Sequence, residues 1–360
     1  MNAERTTTAV VLEQGGTALR PLPLRRLRQG EVLLRVRAAG LCGTDLFKLR
    51  HHDGAATVLG HEVVGEVIET AGRCRFERGD LVVAAHHVAC GVCALCRGGS
   101  ETQCDGFREN LLDPGGFCTH TILARRAVDH AAYLLDDALD PLAAVFLEPT
   151  ACVLRALERG GLEHGILSLE PPAPDSVRVV VQGAGSMGLL HLLVIRALGL
   201  HAEIVIAEPD PARRRLAERL GADRTVWPPP TGLDADVVFD TVGGGAALRQ
   251  AIELARRGGT VVLFAHADDD SDAALPFNRL FRSEQRIVAS YSGSAREQGL
   301  AFQLLSSGAL DPRTLVTHEL PLDAFDIGVE HCRAGRALKV VFRPHYEAAP
   351  ARPMALPATA

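Results

Sequence analysis

Three groups of residues in this chain have types and spacings that could do chemistry. Cys42-Gly43-Thr44-Asp45 is followed, after a short loop, by Gly60-His61-Glu62. A thiolate and an imidazole this far apart in sequence can converge on one metal ion, although a buried cysteine and a core histidine would read the same way. Next comes Cys90-x2-Cys93-x2-Cys96-x7-Cys104. Four thiolates close a tetrahedral site with no open position, so a zinc held there would be structural. The segment carrying them, with Gly91, Gly98 and Gly99, has too few apolar residues to fold unaided, and the metal would supply its stability. The third group is Gly183-Ala184-Gly185-Ser186-Met187-Gly188, with Glu208 twenty residues beyond Gly188. Glycines so placed permit a tight turn and a close approach of backbone to a pyrophosphate at a helix N-terminus.

The elements around these groups are legible from periodicity. Thr8–Val11, Val32–Arg37, Val63–Ile68, Leu81–Ala84 and Thr121–Leu123 read as short strands with glycines at the turns, so the first part of the chain is expected to be antiparallel and β-rich. Asp140–Arg159 reads as helical, with Pro149 breaking it so that Glu148 stands at the break. Gly160–Ser176 is a glycine- and proline-rich linker. The pattern then alternates. Val177–Val181 is a continuous apolar run, as in a parallel strand buried on both faces. It leads through the glycine turn into a helix, Leu189–Leu198, and a second strand, Ile204–Ala207, ending at Glu208. Helices at Ala212–Leu220 and Ala246–Arg257 alternate with strands at Asp236–Asp240, Thr260–Ala265 and Arg286–Ser290, which predicts a doubly wound parallel sheet. Helix Ala301–Ser306, a loop and short pieces ending in Leu338–Phe342 follow, and the Ala/Pro-rich tail, 346–360, is expected to be disordered.

Length and composition exclude several functions. A chain of 360 residues is too long for one ordinary core. Its 47% hydrophobic and 23% charged residues fit a globular protein. The formal net charge of -6 opposes binding to nucleic acid or to an anionic membrane. The most apolar stretch, Val177–Leu200, is interrupted by Gly183, Gly185, Gly188, His191 and Arg196, so it cannot span a bilayer. Nine cysteines with no visible secretory signal point to reduced thiols and metal ligands, and to a cytoplasmic enzyme.

Taken together, Gly60-His61-Glu62 with Gly65, Ala71, Cys74 and Arg78-Gly79-Asp80, the four-cysteine lobe and the glycine turn resemble the zinc-dependent medium-chain dehydrogenase/reductase superfamily over roughly Thr8 to Phe342. The resemblance implies a GroES-like catalytic domain, discontinuous over 1–154 and 295–360, and a Rossmann domain over 155–294. It implies hydride transfer between a secondary alcohol and NAD, with two zinc ions per chain, one catalytic and one structural. Where simple alcohol dehydrogenases carry a third-ligand cysteine, this chain has Glu148-Pro149, as in sorbitol, threonine, glucose and cyclitol dehydrogenases. Cys42, His61 and Glu148 are thereby assigned to the catalytic zinc, with Glu62 as an alternate ligand. A bound alcohol would have its pKa lowered there, as zinc lowers that of water from about 15.7 to about 7. Thr44 matches the hydroxyl that passes the proton outward, and Asp45 is expected to orient His61. Phe47 stands where the family often has a relay histidine, with His51 and His52 close by. Gly183, Gly185, Ser186, Met187, Gly188, Glu208 and Arg213 match the dinucleotide-binding positions. Lys48, Phe117 and His120 are the substrate-pocket candidates for a hydroxylated small molecule. A homodimer or homotetramer is implied, with Arg286–Ser290 as the pairing edge. Two other readings stay open: a dehydrogenase of simple alcohols, aldehydes or amino alcohols such as threonine, and a zinc-ribbon nucleotide sensor holding one metal instead of two.

Overall fold

The antiparallel part of the chain is organised on one long strand. In the computed structural model, which describes residues 5–52, 54–162, 177–268 and 271–345, β3 (Val32–Gly40) pairs along its length with β5 (Glu62–Thr70) and, over Val32–Arg35, with β8 (His120–Leu123). At its Gly40 end it also pairs with β17 (Lys339–Phe342), which comes from the far end of the chain. The sheet runs β16-β17-β3-β5-β6-β9, with β6 at Leu81–Ala84, β9 at Ala132–Leu134 and β16 at Val316–Leu320. A short strand, β7 (Leu112–Asp113), adds to β8. Val32, Leu34 and Val36 of β3 point into the core with Val63, Val67, Phe117, Phe325 and Phe342. Arg35 and Arg37 point the other way and both pair with Glu66 on β5. That period of two is what makes a half-buried strand. A hairpin of β1 (Thr6–Glu13) and β2 (Gly16–Pro23), with β4 (Thr57–Val58) along β1, lies beside this sheet. Of the expected linker only its first residues are described, and the expected tail lies outside the described residues.

Contacts divide the chain into two units, one built from residues up to Ala151 and from Gly293 onward, the other from Cys152–Ser292. The second unit is a parallel sheet in the order β12-β11-β10-β13-β14-β15, formed by Val177–Gln182 (β10), Ala202–Ala207 (β11), Arg224–Val226 (β12), Ala235–Asp240 (β13), Ala255–Leu263 (β14) and Arg286–Ala289 (β15). The order reverses beside β10, so the crevice at its carboxyl end is where such a sheet binds a ligand. Val179–Val181 and Ile204–Ile206 are fully buried, as apolar runs in a two-sided sheet must be. Helices Ser186–Ala197, Pro211–Arg219, Gly245–Leu254 and Phe277–Ser283 connect the strands.

Two elements differ from expectation for identifiable reasons. The helix expected over Asp140–Arg159 is two helices, Pro141–Ala144 and Leu147–Arg159. Pro149 therefore lies in the first turn of the second helix, where a missing N–H costs nothing, and Thr150 N–H donates to Phe146 O at 2.9 Å. The helix expected to reach Arg257 ends at Leu254, because Ala255 turns extended (ψ 136°) and already pairs with Ala235.

His191, on the helix after the glycine turn, is wholly buried between Phe239 and Phe264. Its Nδ1 pairs with Met187 O at 2.8 Å, while Nε2 has no partner among the described residues. Burial pushes this imidazole down to about 4, against about 6.5 when unfolded. The folded state thus keeps it neutral, and unfolding releases it to bind a proton. Stability is complete above pH 6.5 and falls as the pH drops from there to 4, by about 3 kcal/mol from this residue. Denaturant unfolding at pH 7 and pH 4 should show that extra loss in the wild type and not in His191→Leu. An equally steep loss in the variant would remove His191 as its source.

Candidate functional site

Cys42 and His61 are tied together by one buried carboxylate. Cys42 caps the helix Gly43–Arg50 in an extended conformation. Asp45, 1% exposed, turns back from the first turn of that helix. Its Oδ2 accepts the Cys42 N–H at 3.0 Å, and its Oδ1 accepts the Gly60 N–H at 3.2 Å. The same Oδ1 lies 3.3 Å from His61 Nδ1, which leaves Nε2 to act as a ligand. Gly60 has φ +92°, and a Cβ there would lie 2.8 Å from Phe117 N. Only glycine delivers His61 at this angle.

The ligand atoms of Cys42, His61 and Glu62 lie within 4.8 Å of one another. Burial would lower His61, yet the neighbouring Asp45 and Cys42 raise it well above the usual imidazole range. A cluster that holds a proton this firmly is short of positive charge, which a divalent cation would supply. The donor set therefore fits zinc, with thiolate, imidazole and carboxylate all among its common ligands. Glu148, 8% exposed at the second position of the helix Leu147–Arg159, adds its charge at both Glu62 and Lys339.

Lys339 is a site residue with no signal in the sequence. Its Nζ lies 2.7 and 2.5 Å from the two carboxylate oxygens of Glu62 and 3.3 Å from Leu41 O. Both side chains are buried. Burial alone would lower Lys339, but Glu62 and Cys42 hold it above the ordinary lysine range. Gly40 makes room for the pair, since a Cβ there would sit 1.9 Å from Glu62 Oε2.

A second group without a sequence signal flanks His61. The His86 ring lies 4.7 Å from that of His61 and 3.7 Å from that of His87, which in turn faces Phe107 at 5.1 Å. The His51 ring lies tilted against Phe47 at 4.2 Å, with Nδ1 3.0 Å from Phe47 O. Two of the pocket candidates go elsewhere. Phe117 is a core residue, 0% exposed and packed on Phe325 and Phe342, so it has no surface to offer a substrate. His120 instead borders a cavity of about 260 Å³ with Arg5, Leu33 and Glu69. Lys48 lies on the helix Gly43–Arg50, exposed.

The four cysteines of the lobe also converge, all within 4.8 Å. Cys93 Sγ and Cys90 Sγ lie 3.5 and 3.9 Å from Cys96 Sγ. A tetrahedron with 2.3 Å Zn–S bonds has edges of about 3.8 Å. The Cys90 amide draws Cys104 down to about 6, while burial and its thiol neighbours push Cys96 up to about 12. Four thiolates this close repel one another, so the set ionises fully only around a cation, and it too fits zinc.

In the parallel unit, Gly183 takes φ +90° at the turn after β10. A Cβ on Gly188 would lie 2.1 Å from Gly183 O, so the helix can close on the turn only with glycine there. A Cβ on Gly185, the residue capping that helix, would meet nothing within 4 Å. The turn thus leaves open space beside the helix N-terminus with its unsatisfied N–H groups, a cradle suited to a pyrophosphate. Glu208 accepts the Ala184 N–H at 2.7 Å and the Asp210 N–H at 2.9 Å, which fixes its carboxylate beside the turn. Arg214 is committed to the Glu208 and Pro209 carbonyls at 2.7 Å each. Arg213 stands on the first turn of the next helix.

Residues 28–131 match the alcohol dehydrogenase GroES-like domain and residues 186–307 match the zinc-binding dehydrogenase domain. The chain is 31% identical to a D-altritol 5-dehydrogenase of Agrobacterium fabrum over 325 residues, 86% of this chain and 91% of that protein. It is 29% identical to a sorbitol dehydrogenase of Halalkalibacterium halodurans, covering 93% and 99% of the two. Among solved structures, a zinc-binding dehydrogenase of Sinorhizobium meliloti bound to NADP superimposes with a TM-score of 0.81 at 25% identity, covering 95% of this chain and 100% of that one.

Proposed function

This chain belongs to the zinc-dependent medium-chain alcohol dehydrogenase family, and we propose that it oxidises a secondary hydroxyl of a polyol, cyclitol or sugar to the ketone with NAD. The observation that carries this reading is the joining of Cys42 and His61 through Asp45, beside the buried carboxylates Glu62 and Glu148. The similarity to altritol and sorbitol dehydrogenases supports the substrate class. Cys42, His61 and Glu148 hold the catalytic zinc, and Cys90, Cys93, Cys96 and Cys104 a structural one. When bound, the metal supplies a Lewis acid that makes a hydroxyl proton easier to remove, and NAD supplies the hydride acceptor. Asp45 fixes the His61 ring through Nδ1. Lys339 holds the Glu62 carboxylate, which keeps it in reserve as an alternate ligand. Thr44 takes the hydroxyl proton and passes it outward. With Phe47 in the usual relay position, the proton leaves through water or through one of His51 and His52.

NAD reduction measured across polyols, cyclitols, sugars, amino alcohols and simple alcohols tests this assignment. The highest kcat/KM is expected for a polyhydroxylated compound. The substrate reading is lost if a primary aliphatic alcohol outranks all of them.

The choice of NAD over NADP rests on Glu208. A ribose 2′-phosphate would meet its carboxylate, and at about 4 Å with an effective dielectric near 20 the repulsion is roughly 4 kcal/mol. That is about a thousandfold in affinity before relaxation and salt reduce it. Arg214 is engaged with carbonyls and does not offset it. Wild type should favour NAD in kcat/KM, and Glu208→Ala should gain with NADP. Equal use of both cofactors by the wild type would show that Glu208 is not the selector.

A homo-oligomer is part of the same proposal. β15 is the edge of the parallel sheet, and Phe277 and Phe281 on the helix before it are 77% and 74% exposed. A second copy would cover both the edge and the aromatic rings. The free cysteines suit a reducing, cytoplasmic setting. Among the described residues no helix is long and apolar enough to cross a membrane.

A further inference from the structure

We propose that Lys48 and His86 form a subsite for an anionic terminus, a carboxylate or a phosphate, on the polyhydroxylated substrate. This deepens the dehydrogenase reading and rests on it. Lys48 follows Thr44 by four residues on the helix Gly43–Arg50. Residues at that spacing share one helix face. Helical side chains tilt toward the N-terminus, so the Lys48 ammonium leans back over Thr44 toward Cys42.

Lys48 is exposed and makes no ion pair among the described residues. Its charge nevertheless acts on the His86 and His87 rings. No described carboxylate acts on either ring. This side of the site is therefore positive, in contrast to the Asp45, Glu62 and Glu148 side. His86 contributes a second feature. Its ring stands 4.7 Å from that of His61, and its Nδ1 is buried with no hydrogen-bond partner among the described residues. A buried polar nitrogen without a partner is costly, and a substrate oxygen would complete it. A neutral polyol could use the imidazole but has no use for an unpaired ammonium beside it. A carboxylate or phosphate uses both, through charge-assisted hydrogen bonds.

The test compares three substrates of one configuration, a hexitol, the corresponding hexonate and the hexitol phosphate. Each is assayed with NAD in wild type, Lys48→Met, Lys48→Arg and His86→Phe. The wild type should prefer one anionic substrate to the hexitol in kcat/KM, and which one it prefers identifies the source of the anion. Lys48→Met should cut that preference by about tenfold to a hundredfold, the range of one charged hydrogen bond. Lys48→Arg should restore most of it, and His86→Phe should reduce it through KM. Added salt should narrow the preference in the wild type and leave Lys48→Met unmoved. A wild type that prefers the hexitol, or an anion preference that survives Lys48→Met, overturns the subsite and leaves the dehydrogenase reading standing. A wild type that oxidises none of the three overturns both.

Discussion

Glu148→Ala is expected to lower kcat/KM by on the order of a thousandfold or more, equivalent to about 4 kcal/mol of barrier. The same variant should lose one metal ion per chain while keeping the other. The two readouts are linked because Glu148 is the third protein ligand in the proposed site, and the lobe cysteines are a separate set. The large effect follows from the local charge. Cys42, His61 and the nearby carboxylates are gathered together, and Lys339 is a fixed cation in direct contact with Glu62. A zinc held by one carboxylate fewer is bound more weakly and polarises a hydroxyl less. Glu62→Ala provides the contrast, because Glu62 and not Glu148 lies in the tightest trio of ligand atoms. If Glu62→Ala empties the site while Glu148→Ala keeps full metal and activity, the third ligand is Glu62 and Glu148 has no place in the metal shell. Elemental analysis of both variants, beside their kinetics, decides it.

Lys339→Met is expected to destabilise the GroES-like unit by about 3–5 kcal/mol, because it leaves the Glu62 carboxylate buried without its partner. For a unit of this size that corresponds to a fall in Tm of about 10 °C. Glu62 cannot escape by rotating toward Gly40, where its Oε2 already fills the space a Cβ would occupy. Leu41 O would lose its donor as well. Pairing Lys339→Met with Glu62→Leu should recover most of the loss, since apolar groups of similar volume replace a buried ion pair at little cost. The double-mutant cycle is read from thermal or denaturant unfolding. Near-normal stability in Lys339→Met, or a double variant no better than the single one, would show that the pair does not hold this part of the fold.

How much of the molecule is legible in its sequence depends on how local each signal is. The parallel strands are legible because Val179–Val181 and Ile204–Ile206 are buried on both faces and so read as unbroken apolar runs. The lobe and the glycine turn are legible because their chemistry depends on spacing within a few residues. Lys339 is not, since its partner lies 277 positions away and nothing local marks a lysine for burial. His86 and His87 are silent for a similar reason, because only the fold lays them against His61 and Phe107. The helix Gly43–Arg50 leaves no trace because it is one short piece with Asp45 as its sole buried residue, so it carries no apolar stripe. Phe117 reads as a pocket residue because the family places one just after the lobe. Its ring is needed instead beneath Gly60, in the core with Phe325 and Phe342.

The pairing of β17 with β3 also sets an order of events during synthesis. β3 and β5 leave the ribosome early, with Glu62 already on the strand that must bury it. The residue that neutralises it, Lys339, emerges only after the whole parallel unit has been made. Until then the Gly40 end of β3 lacks its β17 neighbour, and Glu62 must stay hydrated or protonated. The parallel unit, contiguous in sequence, can meanwhile complete its own sheet. A nascent chain stopped short of Lys339 would therefore hold a finished parallel unit and a GroES-like unit that lacks its last strand. Such a chain is a substrate for chaperones and proteases until its last strand arrives.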